Sequence, residues 1–275
     1  MTGYAKELIL AKKIAQAIGR SLVRAQGAAS IASRKKGSES FDYTTHQDLE
    51  AERMAIALIK KSFPRDAILS EETLHAIDDI PARLWIIDPI DGTANYANGM
   101  DTFAVSVSFY ARERVRASAV FLPAKNELYA AERGRGVKLN GKPLLVKNPE
   151  RDLKRSFVNM GFPHQRTKPV VKHSFAWYAD LLHACADLRR TGSAVLDTVL
   201  VASGKSGAYV TPNIKPWDIA AGVLFVEEQG GVVSDLRGKP LDLFKKVNGK
   251  FAIEAAFSKN KIIHSALIRV TKKYF

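Results

Sequence analysis

Residues 84–88 read Leu-Trp-Ile-Ile-Asp, an apolar run of strand length with no polar alternation, closing on an acid. A run of this kind predicts a fully buried strand, around which the rest of the chain has to supply cover. Pro89 follows; it fixes its own φ and disfavours helix at the residue before it. Asp88 is therefore expected to end the strand in extended backbone, with the chain turning over 89–92 and both Asp88 and Asp91 pointing into one space. No Lys or Arg lies between residues 84 and 100 to balance them. Two such carboxylates repel each other unless protons or cations intervene, and hard divalent cations take oxygen ligands of this sort. A plain Asp-Pro and Asp-Gly turn is the competing reading of these residues taken alone.

Three further acidic stretches bear on that choice. Ser-Glu-Glu at 70–72 closes a short strand expected over 67–72, Asp218 opens a helix in Lys-Pro-Trp-Asp, and Asp48 opens another in Thr-Thr-His-Gln-Asp. Each has a local alternative: Asp48 and Asp218 as helix caps, Glu71 and Glu72 as solvated charges. If Glu71, Asp88, Asp91 and Asp218 converge, their four charges match two Mg²⁺ with opposite sign, and a two-metal site follows. Gly92 would leave room for a substrate near the backbone, and the amides of Gly92 and Thr93 could donate to phosphate oxygens. Gly192 and Ser193 open a helix in the same way. Helix starts beside paired metals describe a pocket for a phosphate ester and an in-line displacement.

The rest of the chain divides by pattern. Helices are expected over 4–32 and 48–63, then strands at 102–110, about 114–122 and 127–133, and a hairpin turn at Asn140-Gly141. In Thr102–Tyr110, Phe103, Val105, Val107 and Phe109 alternate with Ala104, Ser106 and Ser108, the period of a half-buried strand. After about residue 150, strands (155–159, 207–210, 231–235, 251–257) alternate with helices (171–185, from Ser193, from Trp217, from Lys259). The reading is α/β: an α+β first half, 1–150, carrying most metal candidates, and an α/β second half, 151–275, completing the site, in one compact body. Gly134-Arg135-Gly136 lacks the remaining glycines of a phosphate loop and reads as a turn.

The single cysteine, Cys185, excludes an intrachain disulfide and a thiolate metal cluster, and reads as a small buried hydrophobe. No uninterrupted apolar stretch of signal or membrane length occupies the first 30 residues, so a cytoplasmic protein is expected. The net charge of +14 is terminal: residues 1–47 hold 8 basic and 3 acidic side chains, residues 237–275 hold 10 and 2. A solvated surface accounts for this most simply, and attraction to a polyanion is the second reading.

WIIDPIDGTANYANG at 85–99 and PWDIAAGVLFVEEQGG at 216–231 resemble the two signature motifs of the inositol monophosphatase family of metal-dependent, lithium-sensitive sugar phosphatases. SEE at 70–72 sits where that family has Gly-Glu-Glu. RRTGSAVLD at 189–197 and RGKPLDLF at 237–244 extend the similarity over essentially the whole chain, in the manner of the bacterial inositol-monophosphatase-like extragenic suppressor proteins. The resemblance implies a layered αβαβα sandwich, often homodimeric, with two or three Mg²⁺ held by Glu71, Asp88, the carbonyl of Ile90, Asp91 and Asp218, and Glu72 in an outer role. Asp48, Glu71 and Thr93 would be catalytic, Thr93 and Asp48 by orienting and helping to deprotonate the attacking water. The backbone of Gly92 and Thr93 would hold phosphate, and Asp91, Gly192, Ser193, Ala194 and Asp218 would face the alcohol. Lys35 and Lys36 fall where the family has a mobile closing loop.

There is one departure at the site. Inositol-cleaving members carry a glutamate seven residues before the Trp-Asp aspartate, and this chain has Thr211, which can hydrogen-bond but is shorter and uncharged. His46 is expected on the solvent side of its helix start and Trp217 to be a packing residue. The expected activity is Mg²⁺-dependent hydrolysis of a small polyol or sugar phosphate by direct attack of water. Histidinol phosphate, fructose 1,6-bisphosphate and 3′-phosphoadenosine 5′-phosphate are the rival substrates. A reading from another class is a protein that binds RNA or the transcription machinery through SKNKIIHSALIRVTKKYF; the stripe Ile262, Ile263, Ala266, Leu267, Val270 argues instead for a docked helix.

Overall fold

The computed structural model describes residues 3–26, 33–35, 43–72, 79–146, 150–163 and 167–275. The chain opens with α1 (Ala5–Gln26), whose buried Leu10, Ile14, Ile18 and Leu22 recur every fourth residue and form one apolar stripe. Residues 27–32 of the expected first helix, and Lys36 of the expected closing loop, lie outside the described residues. A short antiparallel ribbon of β1 (Ser33–Lys35) and β2 (Tyr43–Thr45) leads into α2 (His46–Ser62).

Seven strands then form a sheet in chain order: β3 (Ala67–Ser70), β4 (Arg83–Asp91), β5 (Ala104–Ala111), β6 (Arg114–Leu122), β7 (Glu127–Glu132), β8 (Val137–Leu139) and β9 (Lys142–Pro143). Only β3 and β4 run parallel. Asn140 and Gly141, with φ of 50° and 83°, turn β8 into β9 in the conformation that Asn-Gly favours. A short helix, α3 (Thr93–Ala97), separates β4 from β5.

The second sheet has β10 (Phe157–Met160), β11 (Asp187–Arg189), β12 (Ala208–Ile214), β13 (Val232–Ser234) and, after the small hairpin of β14 (Lys246–Val247) and β15 (Lys250–Phe251), β16 (Ile253–Ser258). Its order is β11-β10-β12-β16-β13. The remaining helices are α4 (Lys168–Ala184), α5 (Ala194–Ala202), α6 (Pro216–Glu228) and α7 (Lys261–Thr271). α1 and α2 cover the outer face of the first sheet, α5 and α6 fill the space between the sheets, and α4 and α7 cover the outer face of the second. This is the expected αβαβα sandwich.

Two strand readings change. β4 does not stop at Asp88; it runs to Asp91 through a bulge. Asp88 stands opposite Ser106 and Asp91 opposite Ala104, so β4 uses one residue more than its partner over this interval. Pro89, which has no N–H to give the ladder, is tolerated there because a bulge breaks the ladder. β5 is buried on both faces rather than half-buried. Val105, Val107 and Phe109 pack toward α1 and α2, while Ser106 and Ser108 face the interlayer, where Ser118 Oγ donates to Ser108 Oγ at 2.9 Å. The alternation marks a polar pair inside the protein, not a solvent face.

The start of β4 is pinned by Arg83. Its guanidinium donates to Glu7 of α1 at 2.9 Å and to both oxygens of Asp66 at 2.7 and 2.9 Å, and it lies over the Phe109 ring. Trp85 Nε1 adds a donor to Asp66 at 3.0 Å. Cys185 is buried and unpaired, with burial pushing its thiol up to about 11, and Trp217 packs edge-on against Phe251. Among the described residues no helix is long and apolar enough to cross a membrane.

α5 and α6 approach most closely at Gly222, where an added Cβ would lie 2.4 Å from Thr198 Cβ. The helix-propensity gain of Gly→Ala, about 1 kcal/mol, is set against overpacking of about 1–3 kcal/mol. Overpacking wins when the neighbour is a branched side chain held in a helix. Gly222→Ala is expected to lower stability by about 1–2 kcal/mol in urea unfolding; a raised midpoint would show that the two helices have room to spare.

Candidate active site

The bulge in β4 and the first turn of α6 bring three acids together. One carboxylate oxygen each from Asp88, Asp91 and Asp218 lies within 4.8 Å of the others. Asp88 and Asp91 are buried and Asp218 is half-buried. Their surroundings differ. Asp91 receives the hydroxyl of Ser193 and the backbone N–H groups of Ala194 (3.1 Å) and Val195 (2.9 Å), so it sits on the N-terminus of α5. Ser193 Oγ meanwhile accepts from the N–H of Leu196 at 3.1 Å as the cap of that helix. Asp218, the third residue of α6, accepts from the N–H of Lys215 at 2.9 Å, with Pro216 in the first turn. Asp88 has no hydrogen-bond partner on either oxygen, and both are buried.

The electrostatics follow. Burial first, then the charges of Glu71, Asp91, Asp218 and Asp48, push the Asp88 carboxyl well above its ordinary range. Burial and Asp218 push Asp91 up to about 8, against the donors from Ser193 and Val195. A buried group of acids with orphaned oxygens suits a cation that takes oxygen ligands.

Glu71 reaches this group through strand register. β3 pairs in parallel with β4, Ser70 opposite Ile87, so the residue after β3 falls beside Asp88. Glu71 stands outside the three-acid cluster and acts on Asp88 by its charge; both Glu71 and Glu72 are half-buried. Thr93 and Asp48 also meet. Thr93 Oγ lies 3.1 Å from Asp48 Oδ1 and 2.8 Å from the carbonyl of Ile90, and its one proton serves one of them at a time. Asp48 is fully buried. His46 is exposed and lies 3.5 Å from Glu50, the expected solvent-side placement.

A cavity of about 170 Å³ adjoins the cluster, with Asp91, Asp218, Ser193, Thr211, Arg190 and Phe162 on its walls. Gly192 and Ala194 also line it. Three expectations are corrected here. The start of α5 is not open to a phosphate, because Asp91 occupies its donors. Gly92 is required by its own backbone, φ 88°, and by contacts within the protein: a Cβ would stand 3.0 Å from the Thr102 carbonyl and 3.4 Å from that of Gly192. Thr211 is fully buried and lies 3.3 Å from the Asn213 carbonyl, with Tyr209 as a second partner, so its hydroxyl is satisfied internally.

The sequence reading missed the supports of this site. Asn95 donates to the carbonyls of Thr102 (2.6 Å) and Thr191 (2.9 Å), tying the segment before β5 to the loop before α5. Behind that loop, buried Asp197 accepts from Thr191 (2.9 Å) and Asn159, and Ser206 donates to Asn159 at 2.6 Å. Burial pushes Asp197 up to about 7 against those two donors. Asn95 lies inside a quoted motif, which is the only signal that could have marked it.

The fold and the acid cluster define a phosphatase, and comparison gives its class: the profile of the inositol monophosphatase family matches residues 5–274, so the chain belongs to that family. Nus factor SuhB of Pasteurella multocida is 40% identical over 198 residues, 72% of this chain and 73% of the relative. An IMPase of Thermotoga maritima has a similar structure, with TM-score 0.83, 31% identity and 98% of each chain covered. An IMPase/NADP phosphatase complexed with Mg²⁺ and phosphate has TM-score 0.78 and 26% identity, covering 93% of this chain and 90% of its own.

The raised acids make a stability statement. A carboxyl whose folded value lies above its unfolded one is held protonated by the fold, so the folded state binds more protons and stability falls as pH rises between the two values. For Asp91 that window is about 4 to 8. Urea unfolding in EDTA is expected to show stability falling across this window, less steeply in Asp91→Asn, and a saturating divalent cation is expected to flatten the fall. A flat profile in EDTA would mean the acids do not crowd as described.

Proposed function

We propose that this chain is a Mg²⁺-dependent phosphomonoesterase acting on a small polyol or sugar phosphate. The observation that carries the reading is Asp88, a buried carboxylate with neither oxygen hydrogen-bonded, beside Asp91 and Asp218. Mg²⁺ prefers a few carboxylates and keeps room for water and phosphate, which fits this donor set. The structural relative that holds Mg²⁺ and phosphate supports the choice of ion. Glu71, Asp88, the Ile90 carbonyl, Asp91 and Asp218 would hold two or three ions, with residues 1–150 supplying all but Asp218 and residues 151–275 supplying the rest. When bound, the ions supply Lewis-acid polarisation of the phosphoryl oxygens and a lowered pKa for water.

The protein's own residues do the remaining work. With its proton directed to Asp48, Thr93 Oγ presents a lone pair to the attacking water, and the pair can carry the proton away as the oxygen–phosphorus bond forms. The N–H groups of Gly92 and Thr93, at the start of α3, would hold the phosphate. Gly192, Ser193, Ala194 and Asp218 would face the alcohol, and Thr211, uncharged and internally bonded, disfavours inositol relative to a substrate that needs no acid at that wall. The reading includes lithium sensitivity and a homodimer. Binding of RNA through the C-terminal segment has less support: α7 buries Ile263 and Leu267, Thr271 Oγ donates to the Leu236 carbonyl at 2.7 Å, and Lys273 faces Asp180 at 3.6 Å.

Asp88→Asn is the cleanest test, because the native side chain has no hydrogen bond to lose. Mg²⁺-dependent phosphate release is expected to vanish while the urea midpoint in EDTA holds or rises; retained turnover would sink the assignment. Asp48→Asn is expected to lower kcat by about 10²–10⁴-fold with little change in KM. The substrate is identified by phosphate release across inositol 1-phosphate, histidinol phosphate, fructose 1,6-bisphosphate and 3′-phosphoadenosine 5′-phosphate.

A further inference from the structure

A second cavity, of about 530 Å³, lies between α1 and the β7–β8 edge of the first sheet, away from the acid cluster. Lys12, Arg20, Arg135 and Lys138 stand around it. Glu132, the acid on its wall, is buried and engaged: it accepts the N–H of Tyr4 at 2.6 Å and pairs with Arg135 at 3.2 Å. Among the described residues, Lys12, Arg20 and Lys138 have no acidic partner, and Lys12 is half-buried. An ammonium withdrawn from water without a counter-charge is unfavourable unless an anion visits, and a concave wall of one charge sign concentrates such an anion.

The floor is of another character. Leu8, Leu128 and Ala130 line it, and the Gln16 amide, without a partner among the described residues, stands beside them. Cations at the rim, an apolar floor and an unengaged amide match a molecule with phosphate at one end and a flat body at the other. The volume is in the range of pockets that enclose one small ligand. We propose that this cavity binds a nucleotide, with phosphate against Lys12 and Lys138 and the base on the Leu8–Leu128 floor, either as a free molecule or as one unit of a strand. The terminal charge excess of the sequence thus has a built destination on α1, whereas the basic C-terminal helix is docked and partly paired. This inference is independent of the phosphatase chemistry.

The test uses the full chain and two probes: ADP by titration calorimetry, and a fluorescein-labelled oligouridylate by anisotropy over a series of KCl concentrations. The variants are Lys12→Gln with Lys138→Gln, and, as a second set, Arg20→Gln with Lys138→Gln in case Lys12 is needed to fold. Lys272→Gln with Lys273→Gln is the control. Wild type is expected to bind at least one probe. Both cavity variants are expected to weaken that binding about tenfold or more, and to make the oligouridylate salt slope shallower by about 1.4, at about 0.7 per phosphate contact. Phosphate release is expected to be unchanged. Binding of ADP alone would assign a free nucleotide, and binding of the oligouridylate a strand; either supports the proposal. It is overturned if neither probe binds, if the cavity variants bind as wild type does, or if the C-terminal control weakens binding equally.

Discussion

Mutual repulsion among buried carboxylates is the constraint around which this structure is arranged. Asp88, Asp91 and Asp218 lie close enough that three full charges could not be held there without compensation. The fold compensates one of them well. Asp91 faces the positive end of α5 and takes three donors, while Asp218 takes one and keeps part of its surface in water. Asp88 takes none. The protein therefore stabilises the frame of the site and leaves its centre incomplete, the arrangement expected where the missing charge comes from a bound cation rather than from a side chain.

The frame is supplied by the middle layer. α5 and α6 lie between the two sheets, and each presents its N-terminal turn to the end of β4, so one helix steadies Asp91 and the other delivers Asp218. Their close contact at Gly222 fixes the distance between those two turns. The loop before α5 is held from both sides, by Asn95 in front and by the Asp197, Asn159 and Ser206 chain behind. In a low-dielectric interior such a network is favourable only when every member is satisfied, and here the donors and acceptors of its members are matched to one another.

The layered class and the acids of the site were legible in the sequence, because both are written locally. Asp48, Glu71, Asp88, Asp91 and Asp218 all stand at or beside element ends, where strand and helix signals are strong. What was not legible depends on which groups meet across the fold. Thr211 looks like a substrate contact until Asn213 and Tyr209 are seen to use its hydroxyl. Gly92 looks like an opening for a ligand until the Thr102 and Gly192 carbonyls are seen against it. Ser106 and Ser108 look like a wet face until α6 covers them. Periodicity reports polarity, and polarity inside a layered protein does not mean solvent. Arg83 and Asn95 escaped notice for the same reason: their value lies in partners far away in the chain.

The bulge in β4 has a consequence for how the Asp-Pro-Ile-Asp spacing is to be understood. Side chains along an unbroken strand alternate between faces, so residues at odd separation point in opposite directions. Positions 88 and 91 have odd separation, and in a regular strand one of their carboxylates would enter the apolar layer under α1 and α2. The extra residue restores even parity, and Pro89 ensures that the ladder cannot close over it. The spacing of the two acids is thus a counting rule as much as a chemical one. With one residue fewer between them, the same amino acids would still be there, and the two charges would sit on opposite sides of the sheet.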